Sequence, residues 1–442
     1  MALPKGDRKV IRAWTMYDWA NSAYSLTITS AVFPMFYVAV TQQYGEARFL
    51  AKYGVPAASL YSYALSAGFL LVALIVPLLS GIADHRGNKL TYLKLFCYVG
   101  AASCAGLALF DVEHAWAGLL CIVLACAGFS GSLVFYDAYL PEIAAKQDHD
   151  RISARGYTMG YIGSVLLLVV NLLMVMDPDG DGVTLLGIRD EGGLAARLTF
   201  VSVALWWAGW AQWPFRVLPR RPGAVPDTKH VIWSGYQELR KVWRQLTGMR
   251  RLPRFLAAFF VFNMGIQTVM YLAVNFAKEE IKQPDGSPIA DESLIISVLI
   301  IQLVAALGAM AFVRLSKRYG NVRTLLLGCC AWVLACAVAW SIHWTYQFYL
   351  LAALVGSVMG GCQALSRSTY AKFLPETTDT ASFFSFYDVS YYLGTVLGTL
   401  VYGLVYQLTG DLRNTIIALG TFFVLGVLLL LRVPKEEVAV TT

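Results

Sequence analysis

The stretch "YIGSVL" at Tyr161–Leu166 returns as "YLGTVL" at Tyr392–Leu397, 231 positions on. "YLPE" at Tyr139–Glu142 returns as "FLPE" at Phe373–Glu376, 234 positions on, and "DHRGN" at Asp84–Asn88 returns as "KRYGN" at Lys317–Asn321, 233 positions on. Three matches at nearly one offset divide the chain of 442 residues into two related halves. Each match lies in or beside a run of mostly apolar residues. Windows of about 20 such residues, enough to cross roughly 30 Å of hydrocarbon, recur along the chain. They fall near 14–40, 59–81, 90–110, 116–137, 157–176, 194–215, 254–276, 293–313, 323–342, 346–365, 383–407 and 413–431. That predicts twelve spans, six per half. The expected architecture is an all-α membrane protein of two pseudo-symmetric six-helix bundles, 1–215 and 253–442, joined by a basic linker at 216–252. Parallel repeats of this size place one substrate site between the bundles in many secondary transporters.

Composition supports the class. The chain is 57% hydrophobic and 14% charged, well outside the range of soluble domains. Most of its 35 Lys and Arg fall in segments that share one side if the N-terminus is cytoplasmic, which predicts both ends inside. The net charge of +7 is then explained by retention beside an anionic leaflet, and no nucleic-acid partner is needed. Lys5, Arg8, Lys9 and Arg12 precede the first apolar run, as in a secretory signal. That run is too long and holds Asp18 and Asn21, so it is expected to stay as the first span. The expected place is a cell inner membrane, as a monomer in contact with membrane lipids.

Other chemistries find little support. The eight cysteines fall inside apolar windows, which favours packing over disulfides or metal sites. The five histidines are scattered without metal-ligand spacing, and no nucleophile elbow or phosphate-binding GxxxxGK[ST] loop occurs. No metal, cofactor or enzymatic activity is expected. "DPDGDG" at Asp177–Gly182 starts like a calcium loop but ends on Ile188 where a bidentate Glu is required, so it reads as an acidic turn. In the linker, Arg220, Arg221, Lys229, Arg240, Lys241, Arg244, Arg250 and Arg251 are interleaved with Ile232, Tyr236, Leu239, Trp243 and Leu246 at helical spacing. This predicts a basic amphipathic helix on the inner leaflet.

Between the second and third spans, "GIADHRGNK" places Asp84, Arg86, Gly87 and Lys89 in a tight turn. Asp84 is expected to cap the next helix, with the basic groups at headgroup level. The turn resembles the loop signature of the major facilitator superfamily, with Ser80 where the leading Gly usually stands. Four stretches are more specific: "YDWANSAY" at Tyr17–Tyr24, "YLPEIA" at Tyr139–Ala144, "SARGYTMGYIGS" at Ser153–Ser164, and "QALSRSTYAKFLPE" at Gln363–Glu376 with "FFSFYDVS" at Phe383–Ser390. They resemble the unknown major facilitator family, the branch that contains the fungal autophagy-related vacuolar effluxers. The resemblance implies the major facilitator fold and export of small solutes, with amino acids the class associated with the fungal members. Asp137 stands where that family is expected to have an uncharged polar residue.

The residues themselves draw attention to three intramembrane carboxylates, Asp18, Asp137 and Asp388, each following a Tyr. An Asp at the bilayer centre costs about 2.5–3.5 kcal/mol, so such groups face a cavity, a partner or a pathway. Two readings stand. They load and release protons as access alternates, or they are latched by Arg155 and Arg367 at neighbouring span ends. Polar stripes supply candidate substrate contacts: Asp18, Asn21, Ser22, Ser25 and Thr29 on the first span, and Asn263, Gln267 and Tyr271 on the seventh. Gln363 and Ser366 join them on the tenth span, and Tyr161 and Asn171 on the fifth. Interhelical hydrogen bonding is the alternative role for each. The expected function is a secondary active exporter of a small polar solute, with amino acids and proton coupling favoured. Carriers of a sugar, organic ion or drug, and a non-transporting receptor or scaffold, are the rivals.

Overall fold

The computed structural model describes residues 5–177, 182–220 and 231–436. Arg221, Lys229 and residues 178–181 of the acidic turn lie outside them, and so does the side chain of Ile232. Among the described residues, twelve helices are long and apolar enough to span a membrane. They are Arg8–Tyr44, Ser59–Arg86, Lys89–Leu109, Val112–Ile143, Lys146–Val175 and Leu194–Val217, then Arg251–Val274, Glu292–Tyr319, Asn321–Ser341, Thr345–Phe373, Thr380–Thr409 and Leu412–Leu431. They are called spans one to twelve below.

The pairing of helices repeats between the halves. Span one packs on five and six, three on four and six, and two on four. Span seven likewise packs on eleven and twelve, nine on ten and twelve, and eight on ten. Glycines make the tightest of these crossings. A Cβ on Gly160 of span five would lie 2.5 Å from Ser22 Oγ of span one, and one on Gly398 of span eleven 2.3 Å from Thr268 Oγ1 of span seven. Without side chains, the helices approach closely enough for dispersion contacts to hold them together in lipid. Across the halves, span two lies against eleven, and span five against eight and ten.

One sequence expectation is corrected here. Tyr24–Thr29 winds as a π-helix inside span one, so the α-helical spacing that grouped Asp18 and Ser22 with Ser25 and Thr29 does not carry past Ala23. The linker helix Val231–Thr247 buries Val242 and Leu246 and packs against spans two and eleven, while Tyr236 and Trp243 stay exposed. The apolar sector of the helix thus packs on protein along one edge and stays exposed along the other.

Because spans alternate in direction, the linker shares one side with the turns between spans two and three, four and five, eight and nine, and ten and eleven. The hydrogen bonds and ion pairs that join the halves run from mid-span, at Tyr161–Gln363 and Tyr392–Ser130, down to this linker side. The halves are closed there.

Candidate functional site

Arg367 is the centre of the closure. It lies on span ten, 1% exposed, and reaches from the second half into the first. Nη1 donates to Asp137 Oδ1 of span four at 3.0 Å, and Nη2 to Asp18 Oδ2 of span one at 3.2 Å. Nε donates to Ser153 Oγ at 2.9 Å, and Nη2 also to the Ser153 carbonyl at 2.9 Å. The guanidinium faces the rings of Trp14, Tyr136 and Tyr157, nearest Tyr157 at 4.2 Å to the centroid. Tyr136 donates its hydroxyl to Asp18 Oδ2 at 2.7 Å. Span five contributes through its small residues: a Cβ on Gly156 would fall 2.3 Å from Asp18 Oδ2 and 2.8 Å from Arg367 Nη2. A larger residue there would wedge the ion pair apart. Planar donors on a rigid fork suit arginine to holding two carboxylates at once.

Asp388 differs. It is buried on span eleven, its Oδ2 has no hydrogen-bond partner, and among the described residues no cation lies within ion-pair distance. Arg155, the other candidate latch, lies on the exposed face of span five and joins no ion pair among the described residues. The latch is thus one arginine on two aspartates. Arg155 and Asp388 are outside it, because span five turns Arg155 away while presenting Ser153 and Gly156.

Above the latch, the structure brings several of the candidate substrate residues to the interface. Tyr161 of span five donates to Gln363 Oε1 of span ten at 2.6 Å, and Gln363 Nε2 donates to Met270 Sδ at 3.2 Å. Gln267 donates to Asn263 Oδ1 at 3.0 Å, and Asn263 to the Tyr391 carbonyl at 3.2 Å. Tyr271 meets Phe69 of span two edge to face. Ser22 donates to Asn21 Oδ1 at 3.4 Å, while Asn21 Nδ2 and Ser366 Oγ are buried without a partner. Ser25 is half-buried, its carbonyl accepting from Ser30. Asn171 instead accepts from Ser202 inside the first half.

The turn at Asp84 behaves otherwise than its sequence suggests. Gly87 does take a positive φ of 66°. Asp84, however, caps span eleven across the interface and not the adjacent span three. It accepts from the backbone N–H of Ser382 at 2.7 Å and Ala381 at 3.3 Å. Lys89 is buried rather than at headgroup level, paired with Asp84 at 3.3 Å and with Glu142, and bonded to Thr380. Arg86 stays half-exposed. A second seam, missed in the sequence, is built on Asp150 at the start of span five. It accepts from Ser368 at 2.7 Å, Asn321 at 2.8 Å and Ser316 at 3.1 Å, and pairs with Lys372. In the sequence, Asp150 and Lys372 look like ordinary charges at span ends. At the surface, Lys241 of the linker helix pairs with Asp379 and Glu238, each at 2.7 Å. Burial works against the Lys241 ammonium, but these bonds outweigh it and lift its pKa to about 12.

Twelve spans, repeated pairings and a polar seam between the halves define a carrier of the major facilitator class. Residues 6–441 match the family model described as vacuole effluxer Atg22 like, and the chain belongs to that family. It is 29% identical over 96% of its length to an uncharacterized MFS-type transporter, YxiO, of Bacillus subtilis, covering 94% of that protein. It is 22% identical over 87% of its length to autophagy-related protein 22-1 of Phaeosphaeria nodorum, covering 77% of it. Among solved structures, the fold is similar to the human organic anion transporter MFSD10, with a TM-score of 0.72 and 15% identity over 97% of this chain and all of that one. It is also similar to the Escherichia coli fucose:proton symporter, with a TM-score of 0.69 and 14% identity over 97% of this chain and 98% of that one. The protein is a multi-pass membrane transporter of the MFS type and not an enzyme.

Proposed function

We propose that this protein exports a small zwitterionic solute, an amino acid, by proton-coupled alternating access. The two six-span halves, 1–215 and 253–442, would rock about the central site while 216–252 tethers them. The working unit in this reading is a monomer in a cell inner membrane with the linker side cytoplasmic.

The observation that carries the reading is the charge count of the buried cluster around Arg367: one guanidinium and three carboxylates, with Asp388 unpaired. Opening the linker side must part Arg367 from Asp18 and Asp137. Removing one partner from a buried pair leaves an uncompensated charge, at a cost of about 3–5 kcal/mol. Something must therefore replace the lost partner. A solute carboxylate can take Arg367, and protons can neutralise the aspartates as the halves separate. Asp388, held by no cation, can take the coupling proton, and the unpartnered Asn21 Nδ2 and Ser366 Oγ offer the solute further hydrogen bonds. Each buried orphan costs about 1–3 kcal/mol, which a bound polar solute would recover.

Counterflow in proteoliposomes loaded with mixed amino acids tests the reading, with labelled solutes outside and a proton gradient imposed or collapsed. Saturable exchange of at least one amino acid, stimulated by the gradient, is expected. Folded protein that exchanges none of them would overturn the substrate class, and exchange indifferent to the gradient would overturn the coupling.

A further inference from the structure

The linker helix Val231–Thr247 has one face committed to protein and one that is not. Its inner face crosses span two so closely that a Cβ on Gly81 would lie 2.3 Å from the Gly235 carbonyl oxygen, with Val242 and Leu246 buried beside it. Lys241 extends this contact to Asp379, which precedes span eleven, so the helix bridges the two halves at the membrane face. The outer face carries Trp233, Tyr236 and Trp243, 59%, 47% and 53% exposed, at three- and seven-residue spacing that makes one stripe. Trp233 stacks on Tyr236 with centroids 5.4 Å apart. Arg240 and Arg244 are exposed along the same stripe. The helix has a single acidic residue, Glu238, and it is engaged by Lys241.

We infer that this stripe is a docking surface for anionic phospholipid headgroups. Three exposed aromatic rings are poorly placed in water and well placed at the headgroup layer, where indole and phenol groups collect. The crossing at Gly81, close to the Arg86 end of span two, fixes the stripe at that depth. Two arginines with no opposing acid complement an anionic leaflet. Lipid seated there would press the helix onto spans two and eleven and strengthen the bridge. The inference is independent of which solute is carried.

Native mass spectrometry of the full chain, titrated with phosphatidylglycerol or phosphatidylcholine, measures the preference. Wild type should retain phosphatidylglycerol in excess. The double variant Arg240→Ala/Arg244→Ala should lose about thirtyfold in its apparent affinity, given the worth of each basic group beside an anionic surface. Phosphatidylcholine retention should not change. Phosphatidylglycerol should also raise the unfolding temperature of wild type, less so that of the double variant. Lys241→Gln should keep the lipid and lose most of that rise. Equal phosphatidylglycerol retention by wild type and the double variant would overturn the inference. So would a stripe that ignores phosphatidylglycerol and instead retains a soluble protein.

Discussion

The two seams that close the halves use opposite devices for the same purpose. At spans two and eleven, the acid is Asp84, on the last helical turn of span two, and it caps the backbone N–H groups that start span eleven. At spans five, eight and ten, the acid is Asp150, on the first turn of a span, and its partners are side chains: Ser316, Asn321, Ser368 and Lys372. By the repeat, Lys317 stands where a second Asp84 would fall, so the second turn cannot supply an acid of its own. In both seams the carboxylate comes from the first half and the donor from the second, as it does at Arg367 with Asp18 and Asp137. At these three contacts the first half supplies the carboxylates and the second half the donors. Asp388 is a buried acid of the second half, and its Oδ2 has no hydrogen-bond partner.

The hardest test of that polarity is Arg367→Met, which leaves Asp18 and Asp137 buried without their cation. A loss of about 3–5 kcal/mol is expected in unfolding of detergent-solubilised protein, together with loss of transport. Arg367→Lys should recover part of the stability, because an ammonium restores charge but not the fork. If Arg367→Met unfolds like wild type, the latch carries no stability.

The seams should then separate under paired substitutions. Asp150→Asn strands Lys372 and should cost about 1–3 kcal/mol, with Lys372→Gln in the same chain restoring much of it, since both partners are side chains. Asp84→Asn should cost about 1–2 kcal/mol by weakening a cap and the dipole interaction at span eleven. Lys89→Gln should not rescue it, because Lys89 keeps Glu142 and Thr380 as partners and the donors left stranded are backbone. Equal rescue in both seams would erase the distinction drawn between them.

Asp388→Asn probes the buried acid of the second half. It removes no ion pair, so the unfolding temperature should hold or rise, whereas gradient-driven flux should fall at least tenfold with counterflow retained. Loss of both fluxes together would make Asp388 a solute contact instead of a proton site.

The smallest effect belongs to the clamp at the surface. Lys241→Gln should cost less than about 1 kcal/mol, because Lys241 is half exposed and its pairs are screened by solvent. Hydrogen bonding to Lys241 holds the Asp379 carboxyl below its ordinary value of 3.8 against the opposing effect of burial. Its contribution is present above that value and is lost as pH falls through the lower folded pKa. The Lys241 contribution is present below 10.5 and is lost as pH rises through about 12. Between those limits, the difference in unfolding temperature from wild type should be flat except where Glu238 titrates, because burial lifts that carboxyl above its ordinary value of 4.5 and into the window, and Lys241 is the cation that opposes the lift. A difference that is flat throughout would show that Lys241 does not hold Glu238.

The sequence determined the membrane class, the twelve spans, the two-fold repeat and the presence of three acids that lipid alone would not tolerate. These follow from segment length and transfer cost, which are local properties. It also named Arg367 and the aspartates it could hold without deciding the pairs, and it assigned Asp84 to the adjacent helix. Which cation meets Asp18, which helix Asp84 caps, and whether Asp150 and Lys372 meet at all depend on how each span is rotated about its axis. Spans this apolar carry little amphipathic signal to set that rotation, so Arg155 and Arg367 look equivalent until packing turns one outward and buries the other. The rotation is fixed by glycine crossings between helices distant in sequence, such as Gly160 on Ser22 and Gly398 on Thr268, and only the assembled structure brings those together.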